Sequence, residues 1–126
     1  MEQKMVNAIN NFRVKNGRKP LHIHTELQRK AHNLVTWTVA GGCGPGSPPP
    51  ICHSRLADGI HSRWTFLGEN TGMVAGRGNI SGMEGAFERS ASHRATMLTA
   101  SANFVGVGIL YWGTYMYVVE EFMAAT

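Results

Sequence analysis

The second half of this chain carries three short polar segments, at residues 52–54, 68–70 and 90–94, set between apolar or small residues. Together they supply two imidazoles and one carboxylate, those of His53, His93 and Glu69. Imidazole nitrogens and a carboxylate are the groups that hold a zinc ion or transfer a proton in many enzymes. The three segments therefore predict a polar site, with metal binding and acid–base chemistry as its two candidate uses.

The other four histidines are assigned no chemical role: His22, His24, His32 and His61. None of them has a metal-ligating partner at the i, i+4 spacing that brings two side chains to one helix face. His22 and His24 alternate as in a short extended segment. His32 lies off the apolar stripe of its predicted helix, which indicates an exposed ring.

The two cysteines, Cys43 and Cys52, stand nine positions apart on either side of a Gly/Pro-rich stretch. A disulfide between them would close a small loop and restrain a segment that has little else to order it. Two reduced thiols are the alternative, and two cysteines are too few for a structural zinc site. We favour the disulfide, which would indicate an oxidising compartment.

Composition limits the class of protein. The 126 residues are 43% apolar and 16% charged, which suits a folded globular chain, and we interpret residues 1–126 as one domain. No apolar run approaches the roughly 18 residues of a membrane span, and no signal-peptide pattern follows Met1. Residues 1–50 hold seven Lys or Arg against two Glu, but no nucleic-acid-binding motif accompanies this charge, so no nucleic-acid partner is expected.

Three helices and a helical turn are predicted to position these residues. The first runs from Met5 to about Val14, where apolar residues repeat at helical spacing. Capping boxes, in which a hydroxyl and a Glu or Gln three positions later cap each other's backbone, predict where two more helices begin. These boxes are Thr25 with Gln28 and Ser81 with Glu84, and the helix after the second ends near Arg89. A short helical turn is predicted at residues 97–98.

The strand signals come later in the chain. Residues 66–75 predict a strand interrupted by glycines, and residues 41–50 predict an irregular loop. Alternating apolar residues at 105–109 and again at 115–122 flank Trp112-Gly113-Thr114, which predicts an antiparallel hairpin. Helices early and strands late predict an α+β fold.

A series of short motifs, in order along nearly the whole chain, resembles one family. The motifs are Asn10-x-x-Arg13-x-x-x-Gly17, His53-Ser54, Gly68-Glu69-Asn70, Ala86-Phe87-x-x-Ser90-x-x-His93-Arg94, Val105-Gly106-Val107-Gly108 and Glu121-Phe122. In this the chain resembles the CAP superfamily of cysteine-rich secretory proteins, antigen 5 and pathogenesis-related proteins, and above all its short bacterial form, the SCP domain.

The resemblance implies an α-β-α sandwich in which a small antiparallel sheet lies between helical layers, with a cleft on one side. Many members hold two histidines and two acidic residues in that cleft. By motif, His53 and His93 fall on the histidines and Glu69 on the first acid. At the position of the second acid this chain has Ser90, as is common in bacterial members, so it carries three of the four residues.

The function implied by the resemblance is that of a secreted or extracytoplasmic binding module, whose signal peptide is not in this chain. It would bind a divalent metal, preferably and weakly zinc on His53 and His93, or a small or lipid-like ligand. Its partners would be an extracellular protein or ligand, or a lipid or cell-envelope component.

Two alternatives stay open. One is a metal-dependent hydrolase with Glu69 as the base, although no G-x-S-x-G or H-E-x-x-H motif is present. The other is a structural hydrogen-bond network among the same side chains.

Overall fold

A computed structural model of the chain describes all residues 1–126. It contains four helices: α1 (Glu2–Lys15), α2 (Thr25–Val39), α3 (Ile80–Arg89) and α4 (Ala91–Met97). Its four strands are β1 (His22–Ile23), β2 (Trp64–Ala75), β3 (Phe104–Trp112) and β4 (Tyr115–Ala125). The predicted hairpin is β3–β4, and the predicted loop at 41–50 contains no helix or strand beyond the turn that ends α2. None of the helices is long and apolar enough to span a bilayer.

The strands form one sheet in the order β1-β3-β4-β2. β4 lies in the centre and pairs antiparallel with β2 and β3, whereas the two-residue β1 runs parallel to β3. On one face, Ala31, Leu34 and Val35 of α2 pack against Tyr117 and Val119. The opposite face meets apolar residues of the other three helices: Met5 and Ile9 of α1, Met83 and Phe87 of α3, and Met97 of α4. The predicted α-β-α sandwich is therefore confirmed.

Two glycines in β3 explain how closely α2 lies on the sheet. A Cβ at Gly106 would stand 2.2 Å from the carbonyl carbon of Leu27, and one at Gly108 would stand 2.6 Å from the carbonyl oxygen of Ala31. Backbone lies against backbone at both points, so no larger residue fits. The Val-Gly-Val-Gly pattern thus presents valines to one helical layer and admits α2 on the other side.

The first motif of the sequence has a structural role. Arg13 is fully buried and donates to the carbonyls of Lys19, Met97, Thr99 and Ala102. A buried guanidinium requires such partners, because an unpaired one would carry a large desolvation cost. Arg13 therefore fastens the end of α1 to the segment that follows α4.

The predicted capping boxes are wrong, although the helices are present. His24 caps α2, since its Nδ1 accepts from the Glu26 N–H at 3.2 Å. Asn79 caps α3, since its Oδ1 accepts from the Gly82 N–H at 3.1 Å. The Glu84 side chain cannot reach back to the start of α3, because it is buried toward the sheet.

The close approach of α2 to β3 predicts a large effect of one methyl group. Gly106→Ala should destabilise the protein by on the order of 3 kcal/mol or prevent folding, because backbone cannot move aside as a side-chain tip can. Gly85→Ala is the matched control: its new Cβ would meet only the end of Arg89, and alanine favours a helix. Chemical denaturation of both variants tests this, and a stable Gly106→Ala protein would contradict it.

Candidate functional site

Glu69 lies in the middle of β2 and its side chain is only 1% exposed. Its Oε1 accepts from the Ser54 N–H at 2.9 Å and lies 2.9 Å from Nδ1 of His53. Its Oε2 accepts from the Ser54 hydroxyl at 2.5 Å and lies 3.6 Å from the ammonium of Lys30. The carboxylate thus binds two consecutive residues of the loop before β2 and fixes that loop to the sheet.

Lys30 brings α2 into the same network. Its side chain is nearly as buried as that of Glu69, and its Nζ donates to the Ser54 hydroxyl and to the Arg55 carbonyl. A buried ammonium needs an opposite charge and hydrogen-bond acceptors, and Lys30 has the Glu69 carboxylate and two acceptors. No sequence pattern indicates Lys30, because it belongs to a helix more than twenty positions before the loop that it binds.

Glu121 faces Glu69 across the β2–β4 pair, and both side chains are buried. Burial, followed by the hydrogen bond to Glu69 and the charge of Glu69, raises the pKa of Glu121 to about 10. Burial acts in the same direction on Glu69, but hydrogen bonds from Glu121, Ser54 and His53 outweigh it and lower the pKa of Glu69. The pair is therefore one carboxylic acid, Glu121, which donates to one carboxylate, Glu69.

The two imidazoles are each held by one nitrogen. His53 is 60% exposed, and its Nδ1 is the atom that contacts Glu69. His93, near the start of α4, has its Nδ1 2.7 Å from the Ser90 hydroxyl, and its ring lies 5.0 Å from that of Phe87. Burial, then the charge of His53, lowers the pKa of His93. The two rings are thus within electrostatic reach of each other, and neither Nε2 has a hydrogen bond within the protein.

Ser90 stands at the junction of α3 and α4, where it is both the C-cap residue of α3 and the N-cap residue of α4. Its hydroxyl orients His93 as Glu69 orients His53. No hydrogen bond joins the two imidazole pairs directly. They are linked through Asn70, which follows Glu69 in β2 and donates to the backbone carbonyl of His93 at 3.2 Å.

A second buried acidic pair lies on the opposite face of the sheet. Glu120 is fully buried, and one of its oxygens accepts from Asn70 at 3.2 Å. Burial and the neighbouring Glu84 carboxyl raise its pKa, and burial raises the pKa of Glu84 to about 7. Two consecutive acids in an otherwise apolar strand, Glu120 and Glu121, are the sequence signal that marks one member of each pair.

Cys43 and Cys52 form a disulfide. The loop that it closes is also held by Tyr117, whose hydroxyl donates to the carbonyl of Pro49. Cys52 immediately precedes His53, so the disulfide and Glu69 restrain the same short stretch of chain. This leaves His53 with a fixed backbone and an exposed ring.

At this site only His53 and His93 are available to bind a metal ion, each through a neutral imidazole nitrogen. No group of three or more His, Cys, Asp or Glu side chains is arranged to hold an ion. Glu69 cannot serve as a third ligand without releasing Ser54 or His53. An Nδ1 hydrogen bond that orients the ring and leaves Nε2 available is nevertheless the usual arrangement of a metal-binding histidine.

Removing the charge of Glu69 should destabilise the fold. Glu69→Gln would leave the buried Lys30 ammonium without its counter-charge, and we expect a loss of about 3 kcal/mol in the free energy of unfolding. His32→Ala is the control, because it breaks an exposed His–Glu pair and should cost less than about 1 kcal/mol. Equal losses in urea denaturation of the two variants would contradict the assigned role of Glu69.

Glu121 should make stability depend on pH. A carboxyl whose pKa is raised in the folded protein binds its proton there more tightly than in the unfolded chain. Its contribution is therefore favourable at low pH and is lost as the pH rises from about 4.5 toward the raised pKa. Glu121→Gln, which keeps the donor without the titration, should raise the unfolding free energy at pH 8 by on the order of 2 kcal/mol, with little change at pH 4.5.

Denaturation between pH 4.5 and 8 measures this slope, and Asp58→Asn at an exposed position is the control. A slope that is identical in the wild type and in Glu121→Gln would show that Glu121 is not a buried acid.

Comparisons with known proteins bear on the fold. No protein-family model matches the chain, and no curated protein matches it either. Among solved structures, an outer surface protein of Borrelia burgdorferi matches with a TM-score of 0.75 and 15% identity, over 98% of this chain and 92% of that one. A cysteine-rich secretory protein of Staphylococcus aureus matches with a TM-score of 0.69 and 18% identity, over 98% of this chain and 38% of that one.

A structure of NaASP2 with Zn²⁺ matches with a TM-score of 0.67 and 15% identity, over 96% of this chain and 77% of that one. This chain thus spans nearly all of the Borrelia protein and less than two fifths of the staphylococcal one. At these identities the likeness concerns the arrangement of helices and strands. The chain has the fold of the CAP superfamily, the SCP fold.

Proposed function

We propose that this protein is a secreted or extracytoplasmic binding module of the CAP type, in which His53 and His93 face the ligand and Glu69 maintains the site. The motif resemblance and the SCP fold support the module. Neighbours named as an outer surface protein and a secretory protein support a location outside the cytoplasm. The disulfide supports an oxidising compartment.

The observation that carries this proposal is the way in which the two imidazoles are held. Each ring has its Nδ1 engaged by a partner, Glu69 or Ser90, and each leaves its Nε2 without a partner in the protein. Fixed rings with one open nitrogen are suited to accept a hydrogen bond from a ligand or to donate a lone pair to a cation.

A divalent cation is the first ligand to test, and zinc suits imidazole nitrogen. His53 and His93 would hold it, with water and ligand atoms in the remaining positions. Two protein ligands are fewer than the three or four of tight zinc sites, so the site should be weak and open. When bound, the ion would supply a Lewis-acidic position for an oxygen atom of a small, lipid-like or envelope-derived ligand.

The geometry favours binding over hydrolysis. A general base needs a free lone pair and a pKa near the working pH. Both oxygens of Glu69 accept hydrogen bonds, and its pKa is lowered, so it has neither property. Glu69 is better explained as the residue that holds the loop in place. The buried hydrogen bonds of Glu69 would then be structural, and the two imidazoles would form the binding surface.

Calorimetric titration with zinc chloride at pH 7 tests the site. The wild type should bind one ion weakly, and the His53→Ala/His93→Ala variant should lose at least tenfold in affinity.

The matched control is His22→Ala/His61→Ala, which removes two exposed histidines without hydrogen-bonded side chains. If both double variants bind zinc as the wild type does, any observed binding is nonspecific and the imidazole pair is not a cation site.

A further inference from the structure

A cleft of about 420 Å³ lies between the outer side of α2 and the loop at residues 53–59. We call it the Trp37 cleft. Its helix side presents residues at four-residue spacing, which places them in one stripe: Arg29, Asn33 and Trp37. The loop side presents Arg55 and Asp58. Its volume is within the range of pockets that hold small molecules, and neither His93 nor Ser90 lines it.

Trp37 is the largest side chain in the cleft, and it is 54% exposed. One side of its indole ring packs directly on Gly42, because a Cβ at that glycine would stand 2.2 Å from the ring. Gly42 is next to Cys43, which the disulfide ties to the loop across the cleft. A tryptophan supported on one side and open to solvent elsewhere provides a preformed surface on which the apolar face of a ligand can pack.

The charged groups of the cleft divide into those that are occupied and those that are available. Lys30 is bound to the Ser54 hydroxyl and to Glu69, and Glu26 accepts from the N–H groups of His61 and Ser62. In contrast, four side chains on the walls make no hydrogen bond within the protein: Arg29, Asn33, Arg55 and Asp58. The cleft therefore offers two guanidinium groups, one amide and one carboxylate to a ligand.

These groups define the chemistry of an occupant. Two guanidinium groups favour a carboxylate, which they can bind through paired N–H groups. Asp58 disfavours a polyanion but accepts from hydroxyl groups. Leu34 and Trp37 are the only apolar side chains of the lining, so the cleft cannot cover an acyl chain. The occupant should carry one carboxylate, several hydroxyl groups and one flat apolar face.

A sugar acid combines these three features on a single ring. We propose that the Trp37 cleft binds an acidic saccharide, with the C–H face of one sugar ring on Trp37 and its carboxylate between Arg29 and Arg55. Asn33 and Asp58 bind its hydroxyl groups. The site adjoins the imidazole pair through His53, which lines its edge, but it does not depend on a metal ion.

Isothermal titration with three probes tests the ligand class: a trisaccharide of galacturonic acid, a neutral trisaccharide of glucose, and a peptide of three glutamates. The wild type should bind the uronic trisaccharide with a Kd in the micromolar to low millimolar range and the neutral one at least tenfold more weakly. Preferential binding of the peptide, or no saccharide binding up to about 10 mM, overturns the proposal.

Variants locate the binding. Trp37→Ala should weaken binding of the uronic trisaccharide at least tenfold, whereas Trp112→Ala, at an exposed tryptophan of the β3–β4 hairpin, should not change it. Arg29→Lys keeps the charge but not the paired donors, and should reduce the preference for the acidic over the neutral probe. If Trp37→Ala is not folded by circular dichroism, Trp37→Leu replaces it, and unchanged affinity in either variant overturns the site.

His93→Ala separates this proposal from the imidazole site. It removes one of the two open nitrogens without touching the Trp37 cleft, so zinc binding should fall while saccharide binding stays the same. Loss of saccharide binding in His93→Ala would assign the sugar to the imidazole site and overturn the Trp37 cleft.

Discussion

The structure around the site depends on one buried carboxylate. The side chain of Glu69 is buried, and an unpaired charge there would be very costly. Apart from Glu121, its partners come from outside the sheet: a loop without regular structure, through Ser54 and His53, and a helix, through Lys30. The need to satisfy this charge therefore gives a Gly/Pro-rich part of the chain a defined position. The backbone of this part of the chain is thereby fixed, and with it the positions of the exposed residues His53 and Arg55.

Lys30 can reach Glu69 because α2 packs closely on the sheet. The helix lies on β3 at backbone contact, because Gly106 and Gly108 leave room for it. From that depth the inward-facing Lys30 reaches the carboxylate in β2, while the outward stripe of the same helix forms a wall of the Trp37 cleft. The inner face of α2 thus contributes to the buried hydrogen-bond network, and its outer face forms part of the candidate ligand-binding surface.

The sequence predicts the architecture better than the interactions. Helical periodicity and the Gly-containing hairpin predict the elements. The raised pKa of Glu121 could not be predicted, because it depends on the pairing of β2 with β4. These strands are separated in the chain by two helices and β3. The caps were predicted incorrectly because a histidine and an asparagine, rather than the neighbouring Thr25 and Ser81, accept the free N–H groups.

The two consecutive acids of β4 also bear on how the sheet finds its pairing. Glu120 and Glu121 point to opposite faces, where each meets a different partner, Asn70 or Glu69, on β2. Sliding β4 by one residue would exchange the faces, so that one acid takes the place of the other while the second stands opposite Gly68 or Thr71 instead of its partner. A shifted register of the long β2–β4 ladder is therefore penalised, because at least one buried carboxyl loses its partner. Buried polar groups that weaken a core can in this way select a single alignment of two strands that are distant in the chain.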